Sequence, residues 1–277
     1  MGGGTWLGLS RTGKVALLTN ITEESNSSIV TSRGSLVSSF LLNESDEPLD
    51  VQVQKCFPRD AKYAGFNLLL LAPSTMPAPP TQVSDLDARV GLHYEATLVT
   101  NGAACGPITS RPLDAKECTC GGFSNGVDGK GGAEWPKVKR GLRDFENLIS
   151  QVTQTSDQHA DEAELADRLF ELLFSVRLWT PSEPVTKRGE LRNTVQVEPI
   201  AATWGGRVAY YGTRLSNVLL IRRNGLVTFI ERDIWKLVDG KVTRMGRDTD
   251  SSSPTPTPSE RTFRFQLDLR SPLSRSF

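Results

Sequence analysis

Two histidines, four cysteines and one glycine-rich stretch are the residues of this 277-residue chain that could carry familiar chemistry. A Ser-His-Asp triad needs an imidazole held beside a nucleophile. His93 precedes Tyr94-Glu95 in an apolar segment and His159 lies among acids, and no recognisable nucleophile motif stands near either. Cys105, Cys118 and Cys120 with His93 could form a zinc site. Their spacing, C-x12-C-x-C, lacks the paired C-x2-C of a strong zinc signal, and a loose insertion is the simpler reading. The run GVDGKGG is not a phosphate loop. The first Gly of G-x4-G-K-[ST] would fall on Ser124, and Gly131 follows Lys130. A polar side chain at the end of an apolar strand, Asn20, is the remaining candidate for a polar site.

The elements that must position Asn20 begin at once. Thr5–Leu9 and Lys14–Thr19 flank Ser10-Arg11-Thr12-Gly13 and read as a β-hairpin. Its second strand is apolar on both faces, with Val15 and Leu17 on one and Ala16 and Leu18 on the other, so it is expected between two layers. Ser32 is placed to cap a helix through about Leu42, with Leu36, Val37, Phe40 and Leu41 on one face. Residues 43–62 show no clear period. Phe66–Ala72 is a buried strand ended by Pro73, and Leu92–Asn101 a further strand.

Residues 102–134, rich in glycine and holding three of the cysteines, read as a surface insertion before a helix. Pro136 opens that helix at its favoured first position, and Val138, Leu142, Phe145 and Leu148 form its stripe. A second helix is expected from Asp157 to Val176, capped by Asp157, with a stripe of Leu165, Leu169, Leu172 and Val176. Residues 180–208 read as a loop. Leu215–Arg222 and Leu226–Arg232 form a hairpin around Arg223-Asn224-Gly225, where Asn-Gly predicts positive φ at both residues. Residues 251–260 (SSSPTPTPSE) read as a linker, and 261–269 as one edge strand. Antiparallel pairs with helices grouped between them predict an α+β layered fold rather than a doubly wound parallel sheet.

The bulk composition narrows the function classes. Lysine plus arginine equals aspartate plus glutamate at 32 each, so nothing favours a nucleic-acid partner. No apolar run is long enough for a membrane span, and the N-terminus is neither a secretory signal nor a myristoylation motif. Four cysteines in a chain this long do not make a disulfide scaffold, and a reducing, intracellular setting is the simplest reading.

Five segments in order carry a resemblance. GGGTWLGLSRTGKVALLTN, SRGSLV, YAGFNLLL, FSN…EWPKVKRG and YGTRLSNVLLIRRNGLVTFIER together resemble the NRDE family, the family of transport and Golgi organisation protein 2. The resemblance spans residues 2–232, interrupted by 102–134 and 180–208. It implies the four-layer αββα sandwich of the N-terminal-nucleophile (Ntn) hydrolases, with antiparallel sheets. It divides the chain into an NRDE-type domain at 1–247, a linker at 248–260, and a strand and tail at 261–277. Family members open with a Cys after the initiator Met and an Asn-Arg-Asp-Glu segment. Neither is found here, so the resemblance implies that the first strands and the nucleophile are missing and that the chain is poorly soluble.

The same resemblance places Asn20, Asn125 and Arg214 at polar positions of the family's pocket. There an amide would face a developing oxyanion and an arginine would hold a carboxylate or support a nucleophile. Each also has a plainer reading: a turn former for Asn20 and for Asn125 before Gly126, and a surface or ion-pair arginine for Arg214. By resemblance the chain works in protein secretion and Golgi organisation, through a non-catalytic pocket for a small hydrophobic ligand. Haem, as cargo rather than cofactor, and acyl-CoA are the candidates, and the location is cytoplasmic, Golgi-associated or mitochondrial. The competing reading is an Ntn-type amide hydrolase, which requires an upstream Cys-bearing leader.

Overall fold

The computed structural model describes residues 5–23, 31–57, 61–74, 91–154, 162–175, 188–204, 207–245 and 260–268. They fall into two compact units. The first takes the described residues of Met1–Ala133, Ile221–Leu226 and Phe265–Phe277; the second takes those of Glu134–Leu220 and Val227–Arg264.

The first unit is built on a five-stranded antiparallel sheet. Its strands are β1 (Leu7–Leu9), β2 (Val15–Asn20), β3 (Phe66–Ser74), β4 (His93–Thr100) and β5 (Thr109–Pro112), hydrogen-bonded in that order. The turn before β2 needs Gly13, which has φ +93° and would drive a Cβ to 2.8 Å from Pro73 Cγ. One face of the sheet carries Ala16, Leu18, Phe66, Leu68, Leu70, Ala72 and Val99. On it lie α1 (Gly34–Leu41), through Leu36, Val37 and Phe40, and α2 (Leu49–Cys56), through Leu49 and Val53. Val15 is buried on the other face and Leu17 half-buried, so β2 is covered on one side and largely so on the other.

Three expectations change here. The N-cap of α1 is Arg33, and no side chain caps it; Ser32 instead accepts from the Ser35 N–H and hydroxyl through its carbonyl. The stretch 43–62, where no period was evident, contains α2. A short helix with a stripe of Leu49, Gln52 and Val53 shows no apolar period, because its middle member is polar. The structure explains that glutamine: buried Lys14 donates to Gln52 Oε1 (2.7 Å), Asn43 O (2.6 Å) and Ser45 O (3.0 Å). The segment 102–134 supplies β5 and a short helix, α3 (Ala115–Thr119), which starts with an Asp114–Glu117 capping box.

In the second unit, α4 (Pro136–Gln154) begins at the expected proline, and α5 (Glu162–Ser175) follows. The expected start and cap of α5 at Asp157, its end at Val176, and His159 lie outside the described residues. The stripe of α5 is centred on Ala166 and Phe170, one position on from the leucine row; they pack with Val218 and Ile230, and Leu169 and Leu173 flank them. Phe170, fully buried, sets this rotation. The segment 180–208, read as loop, holds a 3-10 turn (Arg188–Asn193) and β6 (Ile200–Trp204), which pairs with β7 (Arg207–Tyr211).

β8 (Leu215–Ile221) and β9 (Leu226–Asp233) form the second predicted hairpin. Of its turn residues only Gly225 has positive φ (+83°); Asn224 does not. The three-residue connection, closed by Gly225 N–H to Arg222 O and Arg222 N–H to Leu226 O, needs only its last residue left-handed. β10 (Trp235–Val238) and β11 (Lys241–Arg244) make a further hairpin, and β12 (Glu260–Gln266) is an edge strand in the order β12-β9-β8. Most of the expected linker and the tail beyond Asp268 lie outside the described residues. Antiparallel sheets with helices packed on them make the fold α+β, and its content fits the expected sandwich.

Candidate functional site

Asn20 is the last residue of β2 and pairs with Phe66. Its backbone carbonyl accepts Asn125 Nδ2 at 2.9 Å, and Asn125 O accepts the Thr22 N–H at 2.7 Å. The structure therefore brings two of the sequence-derived residues together, in the first unit. The side-chain Oδ1 of Asn20 is buried and has no hydrogen-bond partner among the described residues. A buried amide oxygen without a partner costs about 1–3 kcal/mol. Asn125 Oδ1, by contrast, lies 3.3 Å from the Ser124 hydroxyl.

The loop carrying Asn125 is held by a residue that sequence reasoning missed. Asn67 of β3 is 1% exposed. Its Nδ2 donates to Gly126 O (2.8 Å) and Ser124 O (3.1 Å), and its Oδ1 accepts the Thr100 hydroxyl (3.0 Å). The Thr19 hydroxyl adds a bond to Ser124 O at 2.9 Å. The strand register makes this possible: Thr19, Asn67 and Thr100 stand side by side on β2, β3 and β4. The available signal was one polar residue at the second position of an otherwise apolar run, FNLLLLA, since a polar side chain survives burial only when its bonds are made.

The neighbouring turns are fixed the same way. Asn101 accepts the Phe66 N–H at 2.9 Å and donates to the carbonyls of Tyr63 and Ala64 at 3.2 Å each. Glu23 accepts the N–H groups of Gly65 (2.6 Å) and Ala104 (2.8 Å). Gly65 is crowded enough that a Cβ would come within 2.9 Å of Ile21 Cβ.

Farther along the same segment Arg111 makes paired bonds to Glu117 (2.7 and 2.8 Å) and Asp128 (2.8 and 2.9 Å). These bonds, to Asp128 first and Glu117 second, hold the Arg111 guanidinium above its ordinary pKa. Its bonds to Glu117 hold that carboxyl below the usual range.

Arg214 belongs to the second unit. It is exposed, and its carbonyl accepts the N–H groups of Ile234 (2.8 Å) and Trp235 (3.1 Å). In that unit burial lowers Lys137 to about 8, with its ammonium 5.4 Å from the Trp135 ring centre. No group of three or more His, Cys, Asp or Glu is placed to hold a metal among the described residues. No helix among them is long and apolar enough to cross a membrane.

The side chains at the Asn20 end are amides and hydroxyls, joined by a carboxylate that two backbone N–H groups engage. Such a set can bind and orient a polar group. Its titratable member is Glu23, whose two oxygens are engaged by the Gly65 and Ala104 N–H groups.

Comparison with known proteins adds the family. The model of the family described as Transport and Golgi organisation 2 matches residues 1–236. A mouse protein named Transport and Golgi organization 2 homolog is 27% identical over 235 residues, covering 84% of this chain and 72% of its own length. A bovine Transport and Golgi organization protein 2 homolog is 27% identical over 237 residues, with the same coverage.

Proposed function

The chain belongs to the Transport and Golgi organisation 2 family, and from that premise we propose that it holds a small hydrophobic ligand without cleaving it, in support of protein secretion and Golgi organisation. The ligand classes are haem, as cargo, and acyl-CoA. The protein works in the cytoplasm, at the Golgi or in mitochondria. The observation that carries the reading is the unsatisfied Oδ1 of Asn20, a residue whose backbone carbonyl accepts from Asn125. Both ligands are mostly apolar and present a few polar groups, the propionic acid groups of haem and the amides and hydroxyls of the CoA arm. A protonated propionic acid, an amide or a hydroxyl can donate to Asn20. The surrounding amides and hydroxyls can orient such a group, as a carrier site requires.

Titration of haem and of a long-chain acyl-CoA into the purified, folded chain tests this. Saturable binding of one of them, weakened at least tenfold by Asn20→Ala, is the expected result. Absence of saturable binding to both in a folded sample removes the ligand-carrier reading.

A further inference from the structure

We propose that Arg111 is a positioning residue for the Asn20 site: it anchors the loop 121–131 from the far edge of the first unit's sheet and so sets where Asn125 stands against Asn20. The inference rests on the reading of Asn20 as a ligand-binding atom and goes beyond it by assigning the loop's second anchor.

Register puts Arg111 on the face this requires. On the edge strand β5 it stands opposite Leu98 of β4, which is opposite Leu69 of β3, which is opposite Leu17 of β2. Side chains alternate along a strand, so this row shares a face with Thr19, Asn67 and Thr100. The loop crosses that face. Ser124 O and Gly126 O meet Thr19 and Asn67 on β2 and β3, and Asp128 meets Arg111 on β5. Asn125 therefore lies between two anchors, one a buried neutral amide and the other charged.

The charged anchor is fully committed. A guanidinium has five N–H donors, and Arg111 uses each of them. Nε goes to Asp128 (2.8 Å), Nη2 to Asp128 (2.9 Å) and Glu117 (2.8 Å), and Nη1 to Glu117 (2.7 Å) and Pro112 O (3.3 Å). Exposed ion pairs ordinarily contribute little, but a guanidinium forked onto two carboxylates is the geometry that does. The three side chains are only 39%, 30% and 26% exposed for Arg111, Glu117 and Asp128. Glu117 is itself fixed by the capping box of α3.

Asp128 is coupled to Asn125 by a closed turn. The Lys130 and Gly132 N–H groups both donate to Val127 O, at 3.1 and 3.3 Å, and a Cβ on Gly132 would lie 2.8 Å from that oxygen. A turn closed this tightly moves as a body, so a shift at Asp128 reaches Gly126 and Asn125. Without the guanidinium, the Glu117 and Asp128 carboxylates face each other as like charges and move apart.

The Thr22 N–H, which donates to Asn125 O at 2.7 Å, reports the seat of the loop with no ligand present. The test is its hydrogen exchange in the full chain, followed by NMR and referenced to the Leu70 amide of buried β3, which follows overall stability. Arg111→Ala and Asp128→Asn are each expected to quicken Thr22 at least tenfold relative to Leu70. Arg111→Lys, which keeps the charge but not the fork, should fall between Arg111→Ala and the unaltered chain. Glu117→Gln, on α3 rather than on the loop, should quicken Thr22 less than Asp128→Asn does. A Thr22 amide that keeps its ratio to Leu70 in Arg111→Ala and Asp128→Asn overturns the proposal. Equal quickening by Glu117→Gln and Asp128→Asn would overturn it too, by making the cluster's net charge responsible. For whichever of haem and long-chain acyl-CoA binds saturably, Arg111→Ala should weaken binding at least threefold, and unchanged affinity would remove the positioning role. Failure of both to bind the unaltered chain removes the Asn20 reading instead, and the Thr22 amide still decides whether Arg111 seats the loop.

Discussion

Asn67 and Arg261 each tie a segment to a sheet, and they do so under opposite conditions. Asn67 is sealed from water, neutral, and bonded to two carbonyls and a hydroxyl of the first unit. Arg261 is about half exposed, charged, and reaches Glu231 at 2.9 Å and buried Asp233 at 3.5 Å in the second. A buried amide bond is expensive to lose because its partners remain buried and unpaired; an exposed ion pair is cheap to lose because water replaces it. The difference teaches where each unit can give way. The first fixes its loops through buried amides, while the second ties the start of its edge strand through surface charge.

The sharpest way to break that contrast is to remove Asn67. Asn67→Leu should cost about 3 kcal/mol, because Gly126 O loses its bond from Asn67 and Ser124 O and the Thr100 hydroxyl each lose one of two. Urea unfolding measures the loss, and amide exchange in 122–127 should quicken. Lys14→Met comes next, at about 2 kcal/mol by the same reasoning, because three acceptors around α2 are left behind.

Acid sharpens the comparison further. Glu117 is held below its ordinary value of 4.5, first by its hydrogen bonds from Arg111 and then by the Asp114 N–H, with burial opposing both. A carboxyl depressed by folding stabilises the fold above its unfolded pKa, and that stabilisation is lost as pH falls through the folded value. Urea unfolding at pH 7 and below pH 4 should show Glu117→Gln narrowing the acid loss while being less stable at neutral pH. The smallest effect belongs to the second unit. Arg261→Gln, which removes the charge without reversing it, should cost about 1 kcal/mol, and the part owed to the Arg261–Glu231 pair should shrink in high salt, where surface charge is screened. A loss as large as that of Asn67→Leu would end the contrast.

Legibility in the sequence follows the same physics. The first hairpin, β3, β4 and the proline start of α4 were readable because their apolar runs are continuous and their punctuation is strong. The helix α2 was not, because Gln52 fills a core position in answer to Lys14, a partner 38 residues away. The β6–β7 hairpin was hidden among prolines and small residues, and α5 was read one residue off because Ala166, a weak apolar signal, packs beside Phe170. Near the candidate site, the sequence pattern shows Asn20 as a strand end and Asn125 as a loop residue. Asn67 was passed over, since only the register of three strands reveals that Thr19 and Thr100 flank it.

Hydrogen–deuterium exchange of the full chain, with and without whichever of haem or long-chain acyl-CoA saturates, bears most directly on the role given to Asn20. Added ligand should slow exchange at 19–22 and 122–127 and leave 260–266 unchanged. Unchanged exchange at 19–22 and 122–127, with protection arising in other segments, would contradict the assignment.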